Sequence, residues 1–241
     1  MEFVFILLVG LVAGTLSGIV GFGSSIMLMP VLVVAFGPLQ AVPVMALAAV
    51  MVNFSRILVW WREVDWRTCA TYALTAAPAA ALGARTLLVL PPRLVEGALG
   101  GFFILMIGVR RWLAGHDLTL RRWHLAVIGA GVGYLTGIVV STGPITAPVF
   151  LMYGLVKGAF LATEAAGSLA VYLSKAAVFR TFGALPADII AKGLITGSSL
   201  MVGSFVAKRF VIRLEPERFR LLMDGLMLAS GVVMLWSASA S

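Results

Sequence analysis

The chain has 241 residues, 61% of them apolar and only 12% charged, with a mean hydropathy of +1.06. A soluble domain usually carries about twice that charged fraction; a chain this poor in polar groups could not cover its surface in water, and lipid is the solvent that fits. The formal net charge of +8 would suggest a nucleic-acid partner in a soluble protein, but here it is read as basic cytoplasmic loops, where Lys and Arg collect to fix topology.

Helical spans need about 20 mainly apolar residues each. No alternating ten-residue segments of the outer-membrane barrel type occur, so the expectation is an all-α integral membrane bundle. Met1-Glu2-Phe3 places no basic residue ahead of the first apolar run, which predicts a retained first span and not a cleaved signal peptide. Cys69 is the single cysteine and cannot form an internal disulfide.

Apolar stretches run over 3–36, 40–61, 67–90, 94–109, 124–153, 160–179, 188–207 and 219–238. The first and fifth are too long for one span. Each carries a small-residue interruption, Gly21-Phe22-Gly23-Ser24-Ser25 in one and Ser141-Thr142-Gly143-Pro144 in the other. Both are predicted to be a full helix, a break and a shorter helix. Irregular backbone at membrane depth is tolerated only against protein or a wet cavity.

The two stretches also resemble each other. Gly14-Thr15-Leu16-Ser17-Gly18-Ile19-Val20 matches Gly133-Tyr134-Leu135-Thr136-Gly137-Ile138-Val139 at an offset of 119, which also lays Asn53-Phe54-Ser55-Arg56 over Tyr172-Leu173-Ser174-Lys175. An offset of 120 pairs Gly83 with Gly203. These matches predict an internal repeat, with halves 1–116 and 121–241 in a single membrane domain.

Charge separates two topologies. If each long stretch crosses once, the Lys and Arg residues outside the spans divide equally between the two sides. If each enters, breaks and returns, one side collects Arg62, Arg67, Arg110, Arg111, Arg121, Arg122, Lys157, Lys208, Arg209, Arg213, Arg218 and Arg220, leaving Arg85, Arg93, Arg180 and Lys192 on the other. The second is the bias that cytoplasmic loops show. It predicts two inverted repeats, each a broken first segment plus three transmembrane helices, in the cell inner (plasma) membrane with both termini outside. Inverted repeats with broken helices are a recurrent plan of secondary transporters.

The breaks are the first candidate chemistry. Ser24, Ser25, Ser141 and Thr142 are N-cap residue types for the short helices that follow, and Pro144 suits a first helical turn. Free N–H groups at Gly21, Gly23 to Ser25 and at Thr142, Gly143 to Ile145, with two positive helix ends, make an anion-binding arrangement. The plainer alternative is that these glycines only let helices pack closely. Arg56 and Lys175, equivalent in the repeat, lie inside apolar spans, where a charge usually has a task; either they attract an anion, with Asn53, Ser55, Tyr172 and Ser174 as polar contacts, or they snorkel to an interface. Glu164 is the preferred proton-carrying carboxylate; Asp224, Glu96 and Asp188 lie in, near or at the start of spans, and such groups more often pair with an Arg or cap a helix.

Rival classes lose support. His116 and His124 fall in the central loop and Cys69 stands alone, so no transition-metal site is indicated; no Walker motif suggests a nucleotide. No cofactor and no enzyme activity are expected. Expected partners are a small anion and membrane lipid, without nucleic acid, and a homodimer is permitted.

Gly14-x3-Gly18-x2-Gly21-x-Gly23 followed by Pro30, with a weaker second copy in Gly133-x3-Gly137, Gly143 and Pro148, resembles the signature of the TauE/SafE family of sulfite exporter-like permeases. The chain departs from the family pattern at Ser24-Ser25, where further glycines are usual. The resemblance implies transport of a small sulfur-containing anion such as sulfite, a sulfonate or a related organic anion, with direction unspecified. A passive anion channel and a non-transporting scaffold are the competing readings of the residues.

Overall fold

A computed structural model describes residues 2–114, 119–140 and 142–207, with the single positions Gly225, Leu228, Val232, Leu235 and Trp236. Every element among the described residues is helical. The first long stretch divides into α1 (Glu2–Val20) and α2 (Ser24–Phe36), and α3 (Pro38–Trp60) follows the turn at Gly37. A single 3₁₀ turn at Trp61–Glu63 leads to α4 (Trp66–Val89), then α5 (Pro92–Ala114). The second half holds α6 (Arg122–Ile138), α7 (Gly143–Met152), α8 (Lys157–Thr181) and α9 (Ala187–Ala207). Both long stretches are thus broken where their Gly/Ser/Thr clusters fall. The stretch 219–238 and Asp224 lie outside the residues described as continuous structure. His124, expected in the central loop, stands in the first turn of α6, its Nδ1 accepting from the Arg121 N–H at 2.9 Å.

Among the described residues four helices are long and apolar enough to cross a membrane: Phe3–Val20, Leu39–Glu63, Trp66–Val89 and Ala187–Ala207. At 25 residues α8 has the length but is outside that set, because it carries Glu164 and Lys175 along its middle. Its residues 160–167 are buried among neighbouring helices, whereas Leu173 farther along reaches the outer surface. Large apolar side chains such as Phe5, Val34, Leu74, Leu105 and Val127 are exposed on the outer faces, as a lipid-facing surface requires. The protein is an integral membrane protein.

The packing order explains how the polar interior is closed. Helices α3 and α8 pack on each other; α9 lies on α3 and carries α1, while α4 lies on α8 and carries α6. The two sequence halves therefore interlock, since α1 finds its main partner in α9 and α6 finds its own in α4.

Both outer crossings are glycine seams. Gly14 rests on the Leu200 backbone and Gly18 on Ser204 and Ala207; Gly133 rests on the Ala76 backbone and Gly137 on Ala80 and Gly83. In lipid there is no hydrophobic drive between helices, so such close backbone approach supplies the association through dispersion contacts. Gly83 packs on Gly137, whereas Gly203 packs on Gly14. By the 119-residue offset Gly137 answers to Gly18, so Gly83 and Gly203 sit one turn apart in otherwise matching crossings. A four-residue shift keeps a helical face unchanged, which is why the sequence match at 120 still looked periodic.

Each broken stretch folds back on itself. The Phe3 and Phe36 rings, at the start of α1 and the end of α2, are 5.9 Å apart. The Leu120 N–H, just before α6, donates to the Met152 carbonyl at the end of α7 at 3.1 Å.

Candidate functional site

The first break is made by glycine. Gly21 and Gly23 have φ of 93° and 110°, the left-handed region that a side chain disfavours, and they turn the chain from α1 into α2. Gly23, not a serine, holds the N-cap position of α2, with no side-chain cap; Ser24 and Ser25 are instead the first residues of the helix, which corrects the expected caps. Their hydroxyls have no hydrogen-bond partner among the described residues, and their N–H groups precede the first i→i−4 bond, from Met27 N–H to Gly23 O at 3.1 Å. At the second break Thr142 holds the N-cap position of α7, also without a side-chain cap, because its hydroxyl is engaged with that of Thr136. Pro144 lies in the first turn, as expected. The Ile145 and Thr146 N–H groups both go to the Thr142 carbonyl, at 2.8 and 2.9 Å. Ile145 is therefore not a free donor, and this break offers less to an anion than the sequence suggested. Ser141 lies outside the described residues.

The two breaks touch. A Cβ on Gly143 would collide with the Phe22 side chain. Beside this contact lies a cavity of about 30 Å³, lined by Gly21, Gly23, Ser24 and Ser25 from the first break, Thr142 and Gly143 from the second, Asn53 and Arg56 from α3, and Glu164 and Tyr172 from α8. That is room for two or three waters, at about 10–15 Å³ each. Thr136, Thr146, Ser168 and Tyr72 complete its polar wall.

One buried ion pair dominates the electrostatics. Arg56 Nη2 donates to Glu164 Oε2, and the two residues are 4% and 3% exposed. Arg56 is held further by Asn53 Oδ1 at 3.1 Å and by the Leu161 carbonyl at 3.1 Å. The other Glu164 oxygen accepts from Ser168 Oγ at 2.7 Å and Thr146 Oγ1 at 3.3 Å. Such satisfaction of both partners is what makes a buried pair tolerable. One group is left over: Arg56 Nε is buried with no acceptor among the described residues. Tyr172 donates its hydroxyl to the Val140 carbonyl at 2.9 Å, tying α8 to the second break.

Three expected contacts lie elsewhere. Ser55 Oγ donates to Val52 O within its own helix at 2.8 Å, and Ser174 Oγ to Ala77 O of α4 at 2.7 Å. Neither reaches the cavity. Lys175 is fully buried, and its Nζ donates to the Thr136 and Val139 carbonyls at 2.8 and 2.9 Å. Those are C-terminal carbonyls of α6, left without helical partners, so Lys175 closes the end of the helix before the break and complements its dipole. Snorkelling describes neither cation: both side chains end inside the protein.

The family model described as Sulfite exporter TauE/SafE matches residues 6–234. The chain belongs to the TauE/SafE family. No curated protein and no solved structure matches it. TauE/SafE is a family of membrane transporters, and the cavity at the two breaks is the place in this member where polar groups and a charge converge. Sequence reasoning missed Tyr72, Thr136, Thr146 and Ser168. Thr136 alone carried a signal, since it sits in the second copy of the glycine motif.

Proposed function

We propose that this TauE/SafE member is a secondary transporter that moves a small sulfur-containing oxyanion, sulfite or a small sulfonate, through the cavity where its two breaks meet. The observation that carries the reading is the convergence of two helix N-termini, the Ser24 and Ser25 hydroxyls and the Arg56 guanidinium on one buried space. Helix N-termini and a guanidinium are suited to tetrahedral or pyramidal oxyanions. Sulfur itself is supplied by the family's description.

Alternating access fits the volume. A space of about 30 Å³ is tight for a four- or five-atom anion, so that movement of its walls would ease entry, which favours a carrier over a standing pore. Inverted repeats would supply the motion. In support, Glu63 adjoins Gly158 and the Asp65 N–H donates to Thr163, which groups the end of α3 with the start of α8. Gln40 meets Lys192, grouping the start of α3 with the start of α9. The α1–α2 hairpin opens beside Gln40, the α6–α7 hairpin beside Tyr153 and Arg122. The end of α3 with the start of α8 and the α6–α7 hairpin carries Arg62, Arg67, Arg121, Arg122 and Lys157 and is assigned to the cytoplasm; on that assignment the α1 start is outside in a plasma-membrane protein.

The test is flux in proteoliposomes of the purified protein with sulfite, methanesulfonate, sulfate and chloride, wild type beside Arg56→Ala. Saturable movement of a sulfur oxyanion, lost in the variant while the protein stays folded, is the expected result. Absence of electrical signal and of isotope uptake for every anion removes the transport reading and leaves the scaffold.

A further inference from the structure

The ion pair poses a problem for any anion that enters the cavity. Arg56 is the cation that lines the space, yet one of its two terminal nitrogens is bound to Glu164. An ionised pair leaves the site with no net charge, and an anion placed against the guanidinium would lie beside a carboxylate in a cavity of about 30 Å³. Like charges that close do not both persist in a buried site; one must take up a proton.

We propose that Glu164 and the transported anion compete for Arg56, so that the protein carries one proton with each anion. This rests on the anion site of the preceding section. Protonation removes the carboxylate's charge and frees Nη2, and the anion takes its place, using that nitrogen together with the otherwise unpartnered Nε–H and the Ser24 and Ser25 hydroxyls. The protonated carboxyl stays hydrogen-bonded, since Ser168 and Thr146 already hold its other oxygen. When the anion leaves, Arg56 reclaims the carboxylate and the proton departs with the anion. An ionised Glu164 thus reseals the empty site without an unpaired buried cation, which would be costly.

Among the described residues no second group would play this part. Facing Glu164 are Arg56 from α3, Tyr72 from α4, Thr146 from α7 and Ser168 from its own helix. Helix α6 offers Thr136, a hydroxyl. Glu63 and Arg62 of the 3₁₀ turn lie toward the start of α8, where Glu63 abuts Gly158. Lys175 is three turns farther along α8 and turned to the α6 carbonyls.

The experiment is equilibrium binding of methanesulfonate, whose own charge is constant, to detergent-solubilised wild type and Glu164→Gln between pH 5 and 8. Wild-type affinity is expected to weaken as pH rises, approaching tenfold per pH unit where one proton is linked to binding. The glutamine variant is expected to bind at the acid-limit affinity throughout. If that variant does not fold, proton uptake by the wild type in weakly buffered solution gives the same answer: close to one proton per anion bound at neutral pH. Binding that is independent of pH in the wild type, or a variant that keeps the wild-type slope, overturns the competition and leaves the anion site standing. No binding by either form at any pH removes the anion site, and the competition with it.

Discussion

Two glycines of α6, two residues apart, should respond oppositely to the same substitution. A Cβ on Gly133 would stand 2.6 Å from the Ala76 Cα and 2.8 Å from its carbonyl carbon, whereas a Cβ on Gly131 would meet nothing within 4 Å. Carbon atoms rest at about 3.5–4.0 Å, so Gly133→Ala must push α4 and α6 apart by about 1 Å. The displacement loosens the whole seam through Ala80, Gly83 and Gly137. Overpacking of this kind costs about 1–3 kcal/mol. Gly131→Ala instead relieves backbone entropy and gains roughly 0.5–1 kcal/mol. The two variants should therefore differ by about 1.5–4 kcal/mol. Reversible unfolding in mixed micelles with rising SDS, followed by tryptophan fluorescence, reads that difference directly. Gly14→Ala, whose Cβ would stand 2.7 Å from the Leu200 Cα, should behave like Gly133→Ala. Equal stability of the Gly131 and Gly133 variants would refute the seam as the source of the α4–α6 association.

The remaining predictions concern the site and its rim. Arg56→Gln leaves Glu164 buried without its cation and should cost about 3–5 kcal/mol of stability; adding Glu164→Gln should restore most of it, and a double-mutant cycle by the same unfolding assay measures the coupling. Ser24→Ala and Ser25→Ala should each weaken methanesulfonate binding by roughly 2- to 10-fold, the value of one hydrogen bond, while Ser174→Ala leaves affinity unchanged because its hydroxyl serves the Ala77 carbonyl. Asp65 caps α4 through the Arg67 and Thr68 N–H groups, both at 3.1 Å, so Asp65→Ala should cost about 1 kcal/mol. The Thr68 hydroxyl, first of all, holds the Asp65 carboxyl below its ordinary value of 3.8. The sign follows: the stabilisation is complete above pH 3.8 and disappears as pH falls through the lower folded-state value. Wild type and Asp65→Ala should converge in stability in strong acid.

The two breaks were legible because they contradict a length rule: 3–36 and 124–153 exceed one span, and each holds a cluster of turn-forming residues. The identity of the caps was not, since Gly23, in the left-handed region, stands where serine was expected. Arg56 and Lys175 were visible as charges in apolar sequence, but their partners were not. Arg56 and Glu164 are 108 residues apart and meet only because α3 packs on α8. Ser55 and Ser174 were drawn in because they adjoin the cations in sequence. Successive helical residues do not face each other, and each serine turns to a carbonyl away from the cavity.

The equivalence of Arg56 and Lys175 was argued from the repeat, and their different partners show what the repeat does not conserve. Lys175 serves the carbonyls that end α6. By the same offset Arg56 would serve those that end α1, at Ser17 and Val20, yet it reaches across to α8. The residue that draws it there is Glu164, and the 119-residue offset puts Met45, fully buried, in the corresponding place of the first half. A single acid in one half thus converts one of two structural cations into the charge of a shared cavity. A lysine that gives two of its three donors to backbone carbonyls and lies outside the cavity holds a helix end in place and has little to give a ligand there. A guanidinium has five donors, and the three bonds to Asn53, Leu161 and Glu164 leave two of them, the Nε–H included, without a partner among the described residues. The choice of arginine at one position and lysine at the other therefore follows the division of labour: the break in the second half is braced, and the charge of the first half is left to be shared between a carboxylate and whatever anion displaces it.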